Sequence, residues 1–230
     1  MKPIAHIEND FNTKFGVPRQ SGLVTGLEGR IVFEPEYRNP EALRGLEDFS
    51  YIWLLWDFSE AHRTVTDSAA PLVGKWSPTV RPPRLGGNRR MGVFATRSPF
   101  RPNPIGLSSV RIVRIELSTA QGPVIHVEGA DLMDGTPILD IKPYLPFTDA
   151  HPDARAGFAE TTLRQAPLEV IGADLLAHRL TPRQREVLQQ ILAGDPRPRY
   201  QDDPTRVYCI EYAGQEVRFR VQDNQVILLA

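Results

Sequence analysis

Proline constrains this chain most. It accounts for 21 of 230 residues, each fixing φ and lacking a backbone donor. The prolines fall mostly between short apolar segments, which predicts an irregular, β-rich fold and not a helical bundle. Residues 4–7 and 29–33 have strand character. Residues 51–58, Tyr-Ile-Trp-Leu-Leu-Trp-Asp-Phe, form an apolar run of strand length that belongs in the middle of a sheet. Residues 107–117 alternate Val110, Ile112, Ile115 and Leu117 with Arg111, Arg114 and Glu116. The alternation slips once at Val113, which predicts a bulge. Strands over 124–127 and 137–141 follow the turn signals Gln121-Gly122-Pro123 and Asp134-Gly135. Many short strands at hairpin spacing predict a closed or nearly closed antiparallel barrel.

Other segments read differently. Asn39-Pro40-Glu41 predicts a short helix ending near Gly45, with Asn39 as cap. The polar stretch 148–155 marks a boundary. Beyond it, Thr181, Pro182 and Gln184 form a capping-box signature for a helix stopped by Gly194. Residues 207–212, 216–221 and 225–229 read as a three-stranded meander. The expected fold is mainly β: an antiparallel β-barrel N-terminal domain over 1–150 and a small α+β C-terminal domain over 151–230.

The single cysteine, Cys209, excludes an internal disulfide framework and fits a reducing, cytoplasmic setting. No apolar run approaches the length of a membrane span, and the N-terminus lacks a secretory pattern. Neither a Gly-x-Gly-x-x-Gly turn nor a P-loop is present. The histidines (His6, His62, His126, His151, His178) lack metal-ligand spacing, so no metal is expected. A Gly-x-Ser-x-Gly elbow is also absent.

Charge is distributed unevenly. Residues 68–115 contain no acid and nine basic residues: Lys75, Arg81, Arg84, Arg89, Arg90, Arg97, Arg101, Arg111 and Arg114. The whole chain carries net charge −1, so this excess points to a local anionic partner. Within the block lies Ala95-Thr96-Arg97-Ser98-Pro99-Phe100-Arg101-Pro102-Asn103-Pro104-Ile105-Gly106. The prolines stiffen it into a loop that aims two guanidinium forks suited to phosphate or carboxylate. The plainer alternative is solvated surface charge.

A second candidate is Leu139-Asp140-Ile141-Lys142-Pro143-Tyr144. Strand alternation puts Asp140 and Lys142 on one face, either as an ion pair or as a pocket wall with the Tyr144 ring. Arg19 and Gln20 sit in a Gly/Pro-bounded loop. Trp53 and Phe58 are expected in the core, with Trp56 and Trp76 open to either role.

These segments together resemble the TrmO family (TsaA-like or YaeB-like proteins). The resemblance rests on residues 92–108 around Arg97 and Arg101, on Gly129-Ala-Asp-Leu-Met-Asp-Gly-Thr-Pro137, and on Leu139-Asp-Ile-Lys-Pro-Tyr-Leu-Pro-Phe147. It covers about residues 1–150. Asp195-Pro-Arg-Pro-Arg-Tyr and the meander after it resemble the extension of bacterial members.

The resemblance implies an S-adenosyl-L-methionine-dependent methyltransferase acting on N6 of threonylcarbamoyladenosine at tRNA position 37, in the anticodon loop. It implies a β-barrel homodimer without a Rossmann-like domain. The implied cofactor contacts are Pro18, Arg19, Gln20, Ser59, Glu60, Arg97, Leu107, Met133, Asp134, Gly135 and Thr136. Where family members carry Phe-His, this chain has Phe58-Ser59. Asp140 and Tyr144 are candidate proton acceptors, with the substrate's own carboxylate as the alternative. Arg101 and Lys142 would hold the threonyl carboxylate, while Arg84, Arg89 and Arg90, with Arg197 and Arg199, would grip RNA phosphates. The rival readings are a non-catalytic S-adenosylmethionine- or RNA-binding module and a small-molecule methyltransferase.

Overall fold

The computed structural model describes residues 1–59, 77–82, 89–160, 166–176, 178–197 and 203–229. Six strands close an antiparallel barrel in the order β1-β2-β7-β6-β3-β8. They are β1 (Ala5–Glu8), β2 (Glu28–Phe33), β3 (Tyr51–Asp57), β6 (Ile105–Glu116), β7 (Val124–Glu128) and β8 (Pro137–Pro143). Between β3 and β6 a two-residue pair, β4 (Thr79–Val80) and β5 (Met91–Gly92), forms its own small ladder. The expected barrel is thus closed, which removes the exposed edges that short strands would otherwise present.

Alternation explains the core. Ile52, Leu54 and Trp56 of β3 point inward with Ala5, Ile7, Ile31, Val110, Ile125, Val127 and Ile138. β3 lies between β6 and β8, as its apolar run predicts. The slip at Val113 is a register shift between Ile112 and Arg114 against β7.

Gly106 is a close-approach position. A Cβ there would lie 2.1 Å from Trp56 Cε2, so the indole packs flat on bare backbone.

The segment after Asn39 is a 3-10 helix, Pro40–Leu43, and not an α-helix. Asn39 caps it as expected, accepting from the Glu41 N–H, but Gly45 at φ +83° turns the chain away within one turn. A single turn of α1 (Pro146–Asp149) follows the barrel.

The C-terminal part carries α2 (Pro182–Ala193), whose Thr181–Gln184 capping box is formed in full. The meander is β10 (Tyr208–Tyr212), β11 (Gln215–Gln222) and β12 (Gln225–Leu228), joined by turns with positive φ at Ala213-Gly214 and Asp223-Asn224. A fourth strand, β9 (Glu169–Ile171), adds parallel to β12. Val187, Leu188, Ile191 and Leu192 of α2 pack on Ile210, Phe219 and Val226. Phe11, Val24 and Leu27, from the long β1–β2 connection, complete this second core. That connection carries Arg19 and Gln20, so packing on the C-terminal module anchors it at both ends. Among the described residues, no helix is long and apolar enough to cross a membrane.

Candidate functional site

Three segments converge beside the barrel. The first is the β1–β2 connection with Pro18, Arg19 and Gln20. Arg19 donates from Nη2 to the Pro196 and Arg197 carbonyls at 3.1 and 2.7 Å, tying the loop to the C-terminal module. Gln20 donates back to the Arg19 carbonyl, and its Oε1 accepts from Arg97 Nη1.

The second segment is the basic loop. Thr96 Oγ1 donates to the Val93 carbonyl at 2.8 Å, and the Ser98 and Phe100 amides donate to the Thr96 and Ser98 hydroxyls. Arg101 closes the turn, donating from Nη1 to the Thr96 carbonyl at 3.1 Å. Pro99, Pro102 and Pro104 restrict the rest, so Arg97 is presented on a preorganised frame with its side chain exposed.

The third segment joins β7 to β8. Asn9 clamps it: its backbone N–H donates to Asp134 Oδ1 at 2.9 Å and its side chain to the Leu132 carbonyl at 2.7 Å. The Asp134 and Gly135 amides donate to the Phe11 and Ile7 carbonyls at 2.8 Å. Gly135, at φ +72° with open space above it, makes the tight turn, and Thr136 Oγ1 donates to the Met133 carbonyl at 2.7 Å. Gly22 and Gly129 join the first segment to the third through a 2.9 Å backbone hydrogen bond.

Asp131 sits at this junction, and sequence reasoning assigned it no role. Burial pushes its carboxyl above the usual range. Opposing that are the Ser108 hydroxyl, the Asp131 and Ser21 backbone amides and the nearby positive charge of Arg97.

Asp140, Lys142 and Tyr144 occupy the outer face of β8 and its continuation. Asp140 pairs with Leu55 of β3, whose other neighbour is Leu107 of β6. Leu107 is 50% exposed, an apolar side chain facing outward. Lys142 Nζ lies 2.9 Å from Asp140 Oδ2, and Asp140 Oδ1 accepts from the Ile141 N–H. The two side chains thus form an ion pair on this face. The Tyr144 ring packs on Trp53 at 5.5 Å, and Trp53 donates to Asp149 at 2.7 Å. Hydrogen bonds from the Leu145 amide and Trp53 hold the Asp149 carboxyl below its usual range.

The tryptophans reverse one expectation. Trp56 is the buried indole and Trp53 the outward, half-buried one, because inward residues of β3 are the even-numbered set. Phe58 packs against the barrel core as expected, 4.2 Å from Trp56.

The basic block also divides. Arg111 pairs with Glu128 and Arg114 with Glu116, so both are matched by acids from outside the span. Arg81, Arg89 and Arg90 are exposed, with Arg90 donating to Thr79 Oγ1 at 2.9 Å. Arg197 is held in a fork on Asp195, at 2.8 and 3.0 Å, which builds it into its loop. Ser59 is half-buried at the end of β3. Glu60, Lys75, Trp76, Arg84 and Arg199 lie outside the described residues.

At the junction Arg97 and Gln20 present a guanidinium bonded to an amide, the third segment carries the Asp134 carboxylate, and Leu107 is an exposed apolar side chain on β6. Among the described residues no cluster of His, Cys, Asp and Glu could hold a metal ion.

Comparison with known proteins places the chain. Residues 6–150 match the model of the tRNA-methyltransferase O N-terminal domain, and residues 165–230 match the TrmO C-terminal domain. A protein named tRNA (adenine(37)-N6)-methyltransferase from Eikenella corrodens is 55% identical over 156 residues, 67% of this chain and 86% of that protein. The Escherichia coli K12 protein of the same name is 40% identical over 227 residues, 96% of this chain and 92% of its own. A crystal structure of TrmO from Pseudomonas aeruginosa superposes with TM-score 0.72 at 32% identity, covering 99% of this chain and 95% of that one. The chain belongs to the tRNA-methyltransferase O family.

Proposed function

We propose that this member of the tRNA-methyltransferase O family transfers a methyl group from S-adenosylmethionine to N6 of adenosine 37 in tRNA, where that adenosine carries a threonylcarbamoyl group. The observation that carries the reading is the junction of the 18–20 loop, the Arg97 loop and the 129–136 segment in a fold without a glycine-rich nucleotide turn. The cofactor-holding unit in this reading is the barrel, residues 1–150, with residues 151–230 as a small α+β companion that braces the first loop.

Within that unit, Pro18, Arg19, Gln20, Arg97, Leu107 and the Met133–Thr136 turn would hold the cofactor, with Ser59 and Glu60, which follow β3 in sequence. When bound, the cofactor supplies an electrophilic methyl group. The chain's own task is chiefly placement, since in-line displacement gains most from orientation. Arg97, steadied by Gln20, is suited to a carboxylate, and the Leu107 side chain to the face of a purine. The acceptor nitrogen, conjugated to a carbonyl, must lose its proton. Asp140 and Tyr144 are the acceptor side chains assigned to it. Arg101 and Lys142 would engage the threonyl carboxylate. Arg89 and Arg90, with Arg84, would contact phosphates without reading sequence.

The reading extends to a cytoplasmic homodimer. Tyr51 of β3, Val113 of β6 and Leu117 just beyond β6 leave apolar area exposed, which a second copy would cover. Light scattering on the purified protein tests that assembly. The activity is tested by incubating the protein with methyl-labelled S-adenosylmethionine and tRNA purified from a strain lacking this gene. Label retained in tRNA, and lost in Arg97→Ala, is expected. Label absent with the wild-type protein refutes the reading.

A further inference from the structure

The turn that follows α2 is built more firmly than the end of a helix requires. Asp195 lies in the left-handed region at φ +49°, uncommon for a residue with a side chain. Its amide donates to the Leu192 carbonyl at 3.1 Å, which fastens the turn to α2, and Leu192 is fully buried in the second core. Asp195 Oδ1 accepts from the Arg197 backbone N–H at 3.2 Å and from Nε at 2.8 Å, while Oδ2 accepts from Nη2 at 3.0 Å. A fork of this kind fixes direction as well as distance. The Arg197 side chain is only 12% exposed, so water screens the pair less than it would on an open surface.

The turn thereby aims two carbonyls the same way. Arg19 Nη2 donates to both, to Pro196 at 3.1 Å and to Arg197 at 2.7 Å. The Arg19 carbonyl in its turn accepts from Gln20 Nε2. A side-chain amide has one donor end and one acceptor end. With the donor end of Gln20 committed to Arg19, its Oε1 accepts from Arg97 Nη1. Hydrogen bonds and the backbone of residues 19 and 20 thus run unbroken from the C-terminal module to the basic loop.

We propose that Asp195 is a positioning residue for Arg97. Its carboxylate shapes the turn that seats Arg19, Arg19 orients Gln20, and Gln20 aims the Arg97 guanidinium. Asp195 acts on the pocket only through these residues. The proposal rests on the reading of this pocket as the S-adenosylmethionine site. A turn that merely stops α2 would affect stability without being coupled to Gln20.

The test is a double-mutant cycle, read by calorimetry of S-adenosylmethionine binding to the full-length protein. No tRNA is added, so phosphate contacts do not enter the result. Asp195→Asn keeps the size of the side chain and tolerates positive φ, but turns one oxygen of the fork into a donor. It is expected to weaken binding roughly three- to tenfold, the net worth of one hydrogen bond. Gln20→Ala cuts the same chain at its last link and is expected to weaken binding as well. The double variant should bind within about twofold of Gln20→Ala alone, because a chain already cut loses nothing more.

Losses that multiply in the double variant overturn the proposal, since Asp195 then acts by a separate route. Unchanged affinity in either single variant overturns it too. Should Asp195→Asn not fold, Arg197→Gln removes the other half of the fork and enters the same cycle. A wild-type protein that binds no S-adenosylmethionine sinks the pocket reading, and the proposal falls with it. Wild-type binding with a multiplicative cycle sinks the proposal alone.

Discussion

Gly106→Ala isolates the packing that supports the site. Its new Cβ would stand 2.1, 2.4 and 2.5 Å from Cε2, Cζ2 and Cδ2 of Trp56. Those are buried ring atoms, and the ring is wedged against Phe58 at 4.2 Å, so it cannot swing aside freely. Overpacking of a dense core costs about 1–3 kcal/mol. Displacing the indole also breaks its 2.9 Å hydrogen bond to Ser108. The orphaned donor adds about 1–3 kcal/mol. The sum is about 4 kcal/mol, equivalent to a fall of about 8–16 °C in melting temperature for a chain of this size.

Gly92→Ala is the control. It has φ −56°, and nothing lies within 4 Å of its added Cβ. It should leave the melt unchanged or raise stability by up to about 1 kcal/mol. Tryptophan fluorescence during urea unfolding is the assay, because Trp53 and Trp56 lie on barrel strand β3. If Gly106→Ala unfolds at the same urea concentration as wild type, the indole is not seated on that backbone and the packing argument is wrong.

Four further outcomes are expected. Asn9→Ala removes the clamp on the Met133–Thr136 turn and should cost about 1–3 kcal/mol in urea unfolding, with a parallel loss of cofactor affinity. Arg89→Ala should weaken tRNA binding and reduce the slope of log K against log salt by about one, read by filter binding across a salt series. Arg101→Ala should abolish methyl transfer while circular dichroism and the melt remain those of a folded barrel. His126 has its pKa lowered, first by burial and then by the Arg114 charge. A depressed histidine contributes stability above its unfolded pKa that is lost as pH falls toward the folded value, so His126→Gln should flatten the acid side of the stability curve below about pH 6.5.

The barrel was legible because its signals are local. Strand length, turn residues and the slip at Val113 are all written within a few positions, and the Thr181 capping box needs only its own first turn. β9 was not legible. Glu169–Ile171 is three residues long, and only its parallel register with β12, more than 50 positions later, makes it a strand.

The site shows the same division. Arg97 and Gln20 could be singled out by residue type, but not the bond between them, which spans 77 positions. Asp131 was passed over because a lone Asp after a Gly-Ala step looks like loop polarity; Ser108 and Trp56, brought in by other strands, give it meaning. Phasing the alternation of β3 would have put Trp56 inside and Trp53 outside. The basic block overstated its free charge because Glu116 borders it in sequence and Glu128 faces Arg111 across the β6–β7 ladder.

Nucleoside mass spectrometry tests the central claim most directly. tRNA bearing threonylcarbamoyladenosine would be incubated with the protein and deuterated-methyl S-adenosylmethionine, then digested to nucleosides. One labelled methyl group is expected on the threonylcarbamoyladenosine of position 37, dependent on Arg97 and Arg101. A labelled methyl group on another nucleoside, or none on any, contradicts it.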